Sequence, residues 1–440
     1  MVRGQGFGLS ATARLALVQR LARRREGPEA QAAADGRGFG SIQNLRDWEL
    51  VREGMAALGI ESPFFRTHEG RAGGHSLVGN RDIINFGSYD YLGLNGDPRL
   101  HQAAADAMAR YGISASASRL VSGERPVHAA LEAALARHYG AEAALAFVSG
   151  HATNVTVIGH LMGPRDVILH DAAIHNSAVE GAKLSGARRV AFAHNDARAA
   201  ERELAAARRG AARALIVVEG HYSMDGDVPD LAAFVAMARK HDAWLMVDDA
   251  HGLGVVGATG RGSFEAAGID PGEVDIWMGT LSKTLCACGG YITGRRDLID
   301  WMRHTVPGFV YSVGLAPPLA ASALAALEAM EAEPWRVAKL QANATLFRDL
   351  CRAHGFDTGA SAGLGIVPVV LGSTVRAMRV SAALLERGVN ALPIIFPAVP
   401  EKAARLRFFI SAEHEERDVR DAVAALVAAN DGISPTDLVG

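Results

Sequence analysis

Short apolar runs alternate with longer amphipathic stretches from about residue 82 onward. The run Ala214–Glu219 is apolar up to its last residue, which is typical of a strand buried on both faces of a sheet. The predicted strands are Ala143–Val148, Val167–His170, Ala214–Glu219, Trp244–Val247, Gly365–Leu371 and Leu406–Ser411. The predicted helices are Pro126–Tyr139, Asn154–Leu161, Leu231–His241, Val375–Arg387, residues 41–60 and 317–354, and a final helix, whereas residues 63–79 are predicted as a loop.

This alternation predicts an α/β fold in which a mostly parallel central sheet carries helices on both faces. A chain of 440 residues exceeds the usual size of a single core, so we expect subdomains. The expected division is an N-terminal arm and helical segment over residues 1–80, a large domain over 81–330 and a smaller C-terminal α/β domain over 331–440.

Several polar residues follow the ends of predicted strands. In open parallel sheets, ligands bind beyond the carboxyl ends of the strands. Because these residues share that position, we expect them to contribute to one site. They are Ser149, His170, Glu219, Asp248 and the segment Thr280–Lys283.

The formal net charge of -3 gives no electrostatic reason to expect binding to nucleic acid or an anionic membrane. Three cysteines argue against a disulfide framework, and their spacing predicts no metal site. No secretory signal and no transmembrane segment are predicted, so a cytoplasmic protein is expected.

Lys283 is the only formal charge between Asp275 and Arg295. Desolvation disfavours an ammonium group among apolar and small residues, so this lysine is a candidate nucleophile for Schiff-base chemistry. The hydroxyls of Thr280 and Ser282 lie beside it, as a phosphate would need. The same pattern also fits a strand end whose lysine reaches water.

Two further groups of residues suit the same chemistry. Asp248 could hold a protonated heterocyclic nitrogen and His251 a neighbouring phenolate, although a capping turn explains both residues as well. Ser149 and Gly150 open a helix whose N-terminus suits a phosphate, although N-capping alone is an alternative. Together with Lys283, these are the parts of a pyridoxal 5′-phosphate site.

Seven motifs occur in family order, and through them the chain resembles the α-oxoamine synthase family of fold-type I pyridoxal-phosphate-dependent transferases. Each motif is weak alone, whereas seven in order are highly specific. The motifs are Asn85–Leu94, Ser118–Gly123, His170–Ser177, Glu219–Asp227, Val247–Gly252, Gly279–Lys283, and Arg405–Arg407 followed by Ile410–His414.

The resemblance implies a role for each matching residue. Lys283 would form the Schiff base and remove the Cα proton, Asp248 would pair with the pyridine nitrogen, and His175 would stack on the ring. The implied catalytic residues are Lys283, His175, Asp248 and His251. The implied cofactor-binding residues are Lys283, Ser149, Gly150, His151, His175, Ser223, Asp248, His251, Thr280, Ser282 and, toward the neighbouring subunit, Ser312. The implied substrate-binding residues are Arg407 and Tyr89, with a surface salt bridge and core packing as the respective alternatives.

The implied reaction is a decarboxylative Claisen-type condensation. A small amino acid (glycine, L-alanine or L-serine) would react with an acyl thioester of CoA or acyl carrier protein, giving an α-amino ketone, carbon dioxide and free thiol. The implied assembly is a homodimer. A fold-type I aminotransferase is the alternative. A DNA-binding regulator and a serine hydrolase fit less well, because neither a helix-turn-helix nor a Gly-x-Ser-x-Gly motif is found.

Three departures bear on the substrate. His151 stands where many members of the family carry an aromatic residue, and Tyr89 resembles the serine palmitoyltransferases. The run Pro393–Pro400 resembles members attached to polyketide-type assembly lines, which favours a long-chain or carrier-bound acyl donor. The basic segment 11–25 is either a docking helix for an acidic carrier or a solvated extension.

Overall fold

The computed structural model describes residues 39, 42–57, 59–396 and 398–433. The basic segment 11–25 lies outside the described residues, so its role stays a prediction. Within the described part of the chain, no helix is both long enough and apolar enough to cross a membrane.

The strands are numbered in chain order. They are β1 (His75–Val78), β2 (Arg81–Asn85), β3 (Ala143–Phe147), β4 (Val167–Asp171), β5 (Arg188–Phe192), β6 (Ala214–Glu219), β7 (Trp244–Asp248), β8 (Ile276–Thr280), β9 (Gly290–Gly294), β10 (Ile366–Val370), β11 (Val389–Asn390), β12 (Leu392–Ile394) and β13 (Arg405–Phe409). The central sheet has the order β3-β9-β8-β7-β6-β4-β5. Within it, β9 runs antiparallel to both neighbours, and the other six strands are parallel to one another.

Helices alternate with the strands and cover the sheet. The α-helices are Gln43–Ala57, Pro98–Tyr111, Pro126–His138, Gly150–Leu161, Asn176–Leu184, Ala197–Ala207, Leu231–Lys240, Ser263–Ala267, Arg296–Thr305, Pro307–Val310, Pro317–Ala332, Trp335–Ala353, Thr374–Glu386 and Glu416–Asp431.

Strand β6 illustrates how the core is divided by the sheet. All six of its residues are buried. Leu215 and Val217 join one apolar cluster, and Ile216 and Val218 join another. Successive strand side chains point to opposite faces, so the sheet is covered on both sides. The predicted α/β fold with a mostly parallel central sheet is therefore confirmed.

Two small sheets lie outside the central one. Strands β10, β13 and β12 form an antiparallel sheet, while β2 pairs with β1 on one side and with β11 on the other. The sheet of β1, β2 and β11 joins residues 75–85 to residues 389–390, which are far apart in the sequence. The division into segments 1–80, 81–330 and 331–440 stays a prediction.

Three element predictions are wrong in part. The loop predicted over residues 63–79 contains β1, because that strand pairs with β2. Of the two helix starts that the sequence suggests, Asn154 is wrong and the start at Ser149 and Gly150 is confirmed, because the Ser149 hydroxyl accepts the Ala152 N–H at 3.3 Å and caps the helix. The helix predicted over residues 317–354 is two helices, Pro317–Ala332 and Trp335–Ala353, because Pro334 lies at the break and cannot continue the first one.

Four parallel strands end in polar residues at one edge of the central sheet. Asp171, Glu219, Asp248 and Thr280 are the last residues of β4, β6, β7 and β8. Glu219 and Asp248 are direct register partners on neighbouring strands. The chain then turns from β8 into the antiparallel β9, and Lys283 lies in that connection.

Candidate active site

Asp248 is the buried carboxylate at the centre of this edge, with 4% of its surface exposed. The Asn154 amide donates to its Oδ2 at 2.7 Å, and the Ala250 backbone N–H donates to its Oδ1 at 3.1 Å. Asn154 is also buried, and its own Oδ1 has no hydrogen-bond partner among the described residues. Asp248 is therefore held rigidly, next to an amide oxygen that can accept a hydrogen bond.

Lys283 is fixed by the connection between β8 and β9. The Leu281 N–H donates to the Gly289 carbonyl at 2.9 Å, and the Ala287 N–H donates to the Leu281 carbonyl at 2.8 Å. Burial lowers the pKa of the Lys283 amine to about 8, because it outweighs the opposing attraction of Asp248 and Glu219. The structure thus brings Lys283 close to Asp248 in a site that favours the neutral amine.

Glu219 was expected at this site from its position at a strand end, but no individual role was predicted for it. Its two carboxyl oxygens accept the backbone N–H groups of His175 at 2.7 Å and Ser223 at 2.9 Å. Burial, and then the nearby charge of Asp248, raise the pKa of Glu219 to about 8. Glu219 therefore fixes the positions of two loops that carry predicted site residues. The available signal in the sequence was that Glu219, like Asp248, ends an apolar run.

His175 is connected to Asp248 by hydrogen bonds. Its Nδ1 lies 2.7 Å from the Ser177 hydroxyl and also accepts the Ser177 backbone N–H at 3.3 Å. The Asn154 amide donates to the Ser177 hydroxyl at 2.9 Å and to Asp248. The His175 ring lies 6.4 Å from the ring of His151 and nearly perpendicular to it. Burial lowers the pKa of His175, so its imidazole is predominantly neutral at neutral pH.

His251 is also buried, close enough to Lys283 to be influenced by its charge. Its Nδ1 and the Tyr91 hydroxyl are hydrogen-bonded at 2.7 Å, and its ring lies parallel to Phe409 at 6.3 Å. The His221 Nδ1–H donates to the His251 carbonyl at 3.1 Å. Burial holds the pKa of His251 well below its usual value, and the charge of Lys283 adds to this effect. The imidazole is therefore a neutral hydrogen-bonding group.

Arg407 lies beside the same cluster. One guanidinium N–H donates to the Ser223 carbonyl at 2.8 Å, and the guanidinium carbon lies 4.6 Å from the centre of the Phe409 ring. Its buried Nε has no hydrogen-bond partner among the described residues. Tyr89 also packs on Phe409, edge-on at 4.7 Å, and its ring centre lies 5.8 Å from the Lys283 Nζ. Arg407 and Tyr89 therefore border the space near the lysine amine.

The start of helix Gly150–Leu161 packs against the end of β8. A side-chain carbon placed on Gly150 would lie only 2.8 Å from the Thr280 hydroxyl. Thr280 donates to the Gly289 carbonyl at 2.9 Å and accepts the Ser282 N–H at 3.1 Å, and the Ser282 hydroxyl accepts the Gly289 N–H at 3.3 Å. Hydroxyls and a helix N-terminus converge here, with Ser149 as the helix cap, which suits a phosphate.

Ser312 lies in a small crevice lined also by Arg119, Val148 and Phe309. Its hydroxyl donates to the Val313 carbonyl at 3.2 Å. The role predicted for Ser312 concerns a neighbouring subunit, so it stays a prediction.

The residues at this edge fit pyridoxal phosphate in three respects. Asp248 offers a buried carboxylate for the ring nitrogen, Lys283 offers an amine for the aldehyde, and the N-terminus of helix Gly150–Leu161 suits the phosphate. The Asn154 Oδ1 and the Arg407 Nε, which lack partners among the residues that the structure describes, are polar groups that a bound ligand could satisfy.

Comparison with known proteins agrees with this fit. The sequence profile described as aminotransferase class I and II matches residues 81–426. An 8-amino-7-oxononanoate synthase of Geobacter sulfurreducens is 41% identical over 389 residues, covering 88% of this chain and 96% of that protein. Among solved structures, the serine palmitoyltransferase of Sphingomonas wittichii has a TM-score of 0.84 at 29% identity, covering 89% of this chain and 98% of that one. A serine palmitoyltransferase structure that holds pyridoxal phosphate as its internal aldimine has a TM-score of 0.85 at 28% identity over the same shares of the two chains.

Proposed function

This chain belongs to the aminotransferase class I and II family, and from that premise we propose that it condenses a small amino acid, with L-alanine as the first choice, with an acyl thioester. Its relatives are α-oxoamine synthases, which are pyridoxal-phosphate-dependent acyltransferases. The family, the enzyme class and the cofactor predicted from the sequence are confirmed. The amino acid, the acyl group and the thiol carrier belong to the proposal.

The observation that carries the proposal is the position of Lys283. Its amine has a pKa of about 8 and lies near the carboxylates of Asp248 and Glu219 and the guanidinium of Arg407. Pyridoxal phosphate, when bound, supplies an electron sink for a carbanion at the amino-acid Cα. A lysine that is partly neutral near neutral pH can remove the Cα proton and later return one.

The remaining residues orient the reactants in this proposal. Arg407 binds the substrate carboxylate with its guanidinium, whose Nε has no other partner within the described part of the chain. Asp248 would hold the protonated pyridine nitrogen of the cofactor, and His175 would lie against its ring. A Cα–C bond forms at the acyl carbonyl as the thiol leaves, and the carboxylate is then lost as carbon dioxide.

The name 8-amino-7-oxononanoate supports L-alanine as the amino acid. It describes nine carbons with the amino group on the penultimate one, so the last two carbons correspond to the Cα and methyl of alanine. The other seven carbons correspond to an acyl group that ends in a carboxylate. Serine palmitoyltransferases are similar in structure to this chain, and their name favours L-serine and a long acyl chain as the second candidate.

Thiol release would test the substrates directly. Purified holoenzyme is given glycine, L-alanine or L-serine together with pimeloyl or palmitoyl groups on CoA or on acyl carrier protein. We expect L-alanine to release the most thiol, with carbon dioxide formed in equal amount. The same assay compares the carrier-bound and long-chain donors that the sequence favours. Formation of L-alanine from pyruvate and glycine or L-serine, without thiol release, would instead identify an aminotransferase.

Asp248→Asn tests the chemistry of the site. We expect turnover to fall by about 100-fold or more, since the neutral amide no longer stabilises a charged pyridine nitrogen. Asp300→Asn, at an exposed helical position, is the matched control and is expected to be normal. Near-normal turnover in Asp248→Asn would rule out the assigned role.

A homodimer is part of the proposal. Tyr311 and Val313 flank Ser312, and they are exposed by 86% and 49%. Large apolar side chains exposed together are typical of protein interfaces. This supports the prediction that Ser312 reaches the phosphate site of a second copy.

A further inference from the structure

A cluster of charged side chains lies beside the candidate site, at the ends of β4 and β5. The His194 Nδ1–H donates to Asp171 Oδ1 at 2.8 Å. The His194 Nε2 lies 3.2 Å from Asp227 Oδ2, an ion-pair distance without good hydrogen-bond geometry. Asp171 is fully buried, and Asp227 is 6% exposed. None of these three residues has a role in the chemistry described above.

His194 is positively charged at neutral pH. The hydrogen bond to Asp171, and then the nearby carboxylate of Asp227, raise the pKa of its imidazole to about 10. Its ring also contacts the ring of Tyr222 edge-on at 4.6 Å. The cluster thus contains one cation between two carboxylates of low exposure, and loss of the cation would leave the two carboxylates without their partner.

The cluster fixes the turn Tyr222–Asp227 to the central sheet. The Tyr222 hydroxyl donates to Asp171 Oδ2 at 2.9 Å. At the other end of the turn, the Asn195 amide donates to Asp227 Oδ2 at 2.7 Å. Asn195 has a φ of 54°, a left-handed conformation that asparagine tolerates better than most residues. One end of the turn is therefore bonded to the last residue of β4, and the other end to the loop that follows β5.

The middle of the same turn contacts two arginines of β13. The Ser223 carbonyl accepts a hydrogen bond from Arg407, and Asp225 forms an ion pair with Arg405. The Met224 sulfur lies 3.5 Å from the Arg407 guanidinium. The position of the Arg407 guanidinium therefore depends on the conformation of the turn.

We infer that His194 is a positioning residue for amino-acid binding: together with Asp171 and Asp227 it holds the turn Tyr222–Asp227, which in turn orients Arg407 toward the substrate carboxylate. The inference rests on the proposed role of Arg407. His194 itself touches neither the cofactor-binding residues nor the reacting atoms. Its effect is on amino-acid affinity rather than on the chemical step.

His194→Gln tests this inference, because glutamine keeps a donor and an acceptor but removes the charge. Amino-acid binding is measured from the change in visible absorption of the bound cofactor, without any acyl thioester. We expect the dissociation constant to rise about tenfold, as is typical when a buried charged hydrogen bond is lost. The affinity for pyridoxal phosphate and kcat at saturating amino acid are expected to stay within about twofold, since the other contacts of the site remain.

Asp227→Asn removes charge from the other end of the same ion pair and is expected to weaken amino-acid binding in the same direction. His304→Gln, at an exposed histidine of helix Arg296–Thr305, is the matched control and is expected to bind normally. The melting temperature of each apoprotein shows whether it folds. If His194→Gln does not fold, Asp227→Asn decides the result.

The variant Arg407→Lys distinguishes failure of the proposed carboxylate site from failure of the positioning role of His194. If Arg407→Lys weakens amino-acid binding but His194→Gln and Asp227→Asn do not, the positioning role of His194 is overturned. If Arg407→Lys binds the amino acid normally, the proposed role of Arg407 in binding the carboxylate is wrong, and the inference about His194 is overturned with it. A fall in kcat without a change in amino-acid affinity in His194→Gln would also overturn the inference.

Discussion

At the scale of single residues, the chemistry of this site depends on two influences on each pKa, the burial of the group and the charges near it. Lys283 lies near two carboxylates that favour its ammonium form, yet desolvation is the larger effect and lowers its pKa to about 8. The same two influences act together on Glu219, where burial and the charge of Asp248 both raise the pKa. One edge of the sheet therefore holds an amine and a carboxyl group that both change charge near neutral pH.

The pKa of Lys283 leads to a prediction for the apoprotein. Only the neutral amine reacts with an aldehyde, and the neutral fraction increases as the pH rises through the pKa. The rate constant for reloading the apoprotein with pyridoxal phosphate should therefore rise with pH and level off above about 8. Stopped-flow absorption between pH 6 and about 9.5 measures it. A rate that still increases tenfold per pH unit above pH 9 would indicate an ordinary, solvated lysine.

The sequence predicted the reacting groups better than their supports. Lys283 stands out because its neighbours are apolar or small, and Asp248 because it ends an apolar run. Asn154 has no such signal, since an asparagine within a helix is common and its bond to Asp248 spans 94 positions. His194 lies in an ordinary-looking loop, and only the fold brings it between Asp171 and Asp227.

At the scale of elements, the start of helix Gly150–Leu161 is positioned by close backbone packing. Gly290 of β9 lies so near Gly150 that a side-chain carbon on it would be 2.7 Å from the Gly150 Cα. A side-chain carbon on Gly150 would in turn lie 2.8 Å from the Thr280 hydroxyl. Small residues at both positions let the helix N-terminus, β8 and β9 converge where the phosphate is expected.

Gly150→Ala should therefore weaken cofactor binding. The added methyl group must displace Thr280, and overpacking of this kind typically costs enough to reduce affinity about tenfold. Gly272→Ala is the control, because its added carbon would come no closer than 3.4 Å to any neighbouring atom. Equilibrium dialysis of pyridoxal phosphate measures both variants. Equal affinities of the two variants for pyridoxal phosphate would mean that close packing at Gly150 is not needed for phosphate binding.

Strands with continuous apolar runs could be predicted from the sequence. Strands that form only because a neighbouring strand or helix lies beside them could not. Strand β6 reads as a buried strand from its composition alone. Strand β9 begins and ends with glycine, which usually disfavours strands, and its glycines are explained by close contacts with Gly150 and with the Asp275 carbonyl. Strand β11 has only two residues and exists because β2 lies beside it.

At the scale of the whole molecule, charged contacts connect the central sheet with β13. The turn Tyr222–Asp227 meets His194 on the side of the central sheet and Arg405 and Arg407 on the side of β13. The stability of the described structure should therefore depend on the charge of His194.

The raised pKa of His194 fixes the sign of that dependence. The folded state binds the proton more tightly than the unfolded state, whose pKa is near the usual 6.5. The contribution to stability is fully present below about pH 6.5 and is lost as the pH rises through about 10. The melting temperature of the wild type should fall more steeply than that of His194→Gln over this range. Parallel curves for the two proteins would contradict the assigned charge.

The small sheet that joins β2 to β11 has a consequence for folding of the chain during its synthesis on the ribosome. The Asn390 amide donates to Asn85 Oδ1 at 2.9 Å across 305 residues of sequence. At translation rates of about 5–20 residues per second, β2 emerges roughly 15–60 s before its partner strand exists. Its edge stays unpaired for that interval, and the exposed charges of Arg81 and Asp82 at its start disfavour pairing with other nascent chains.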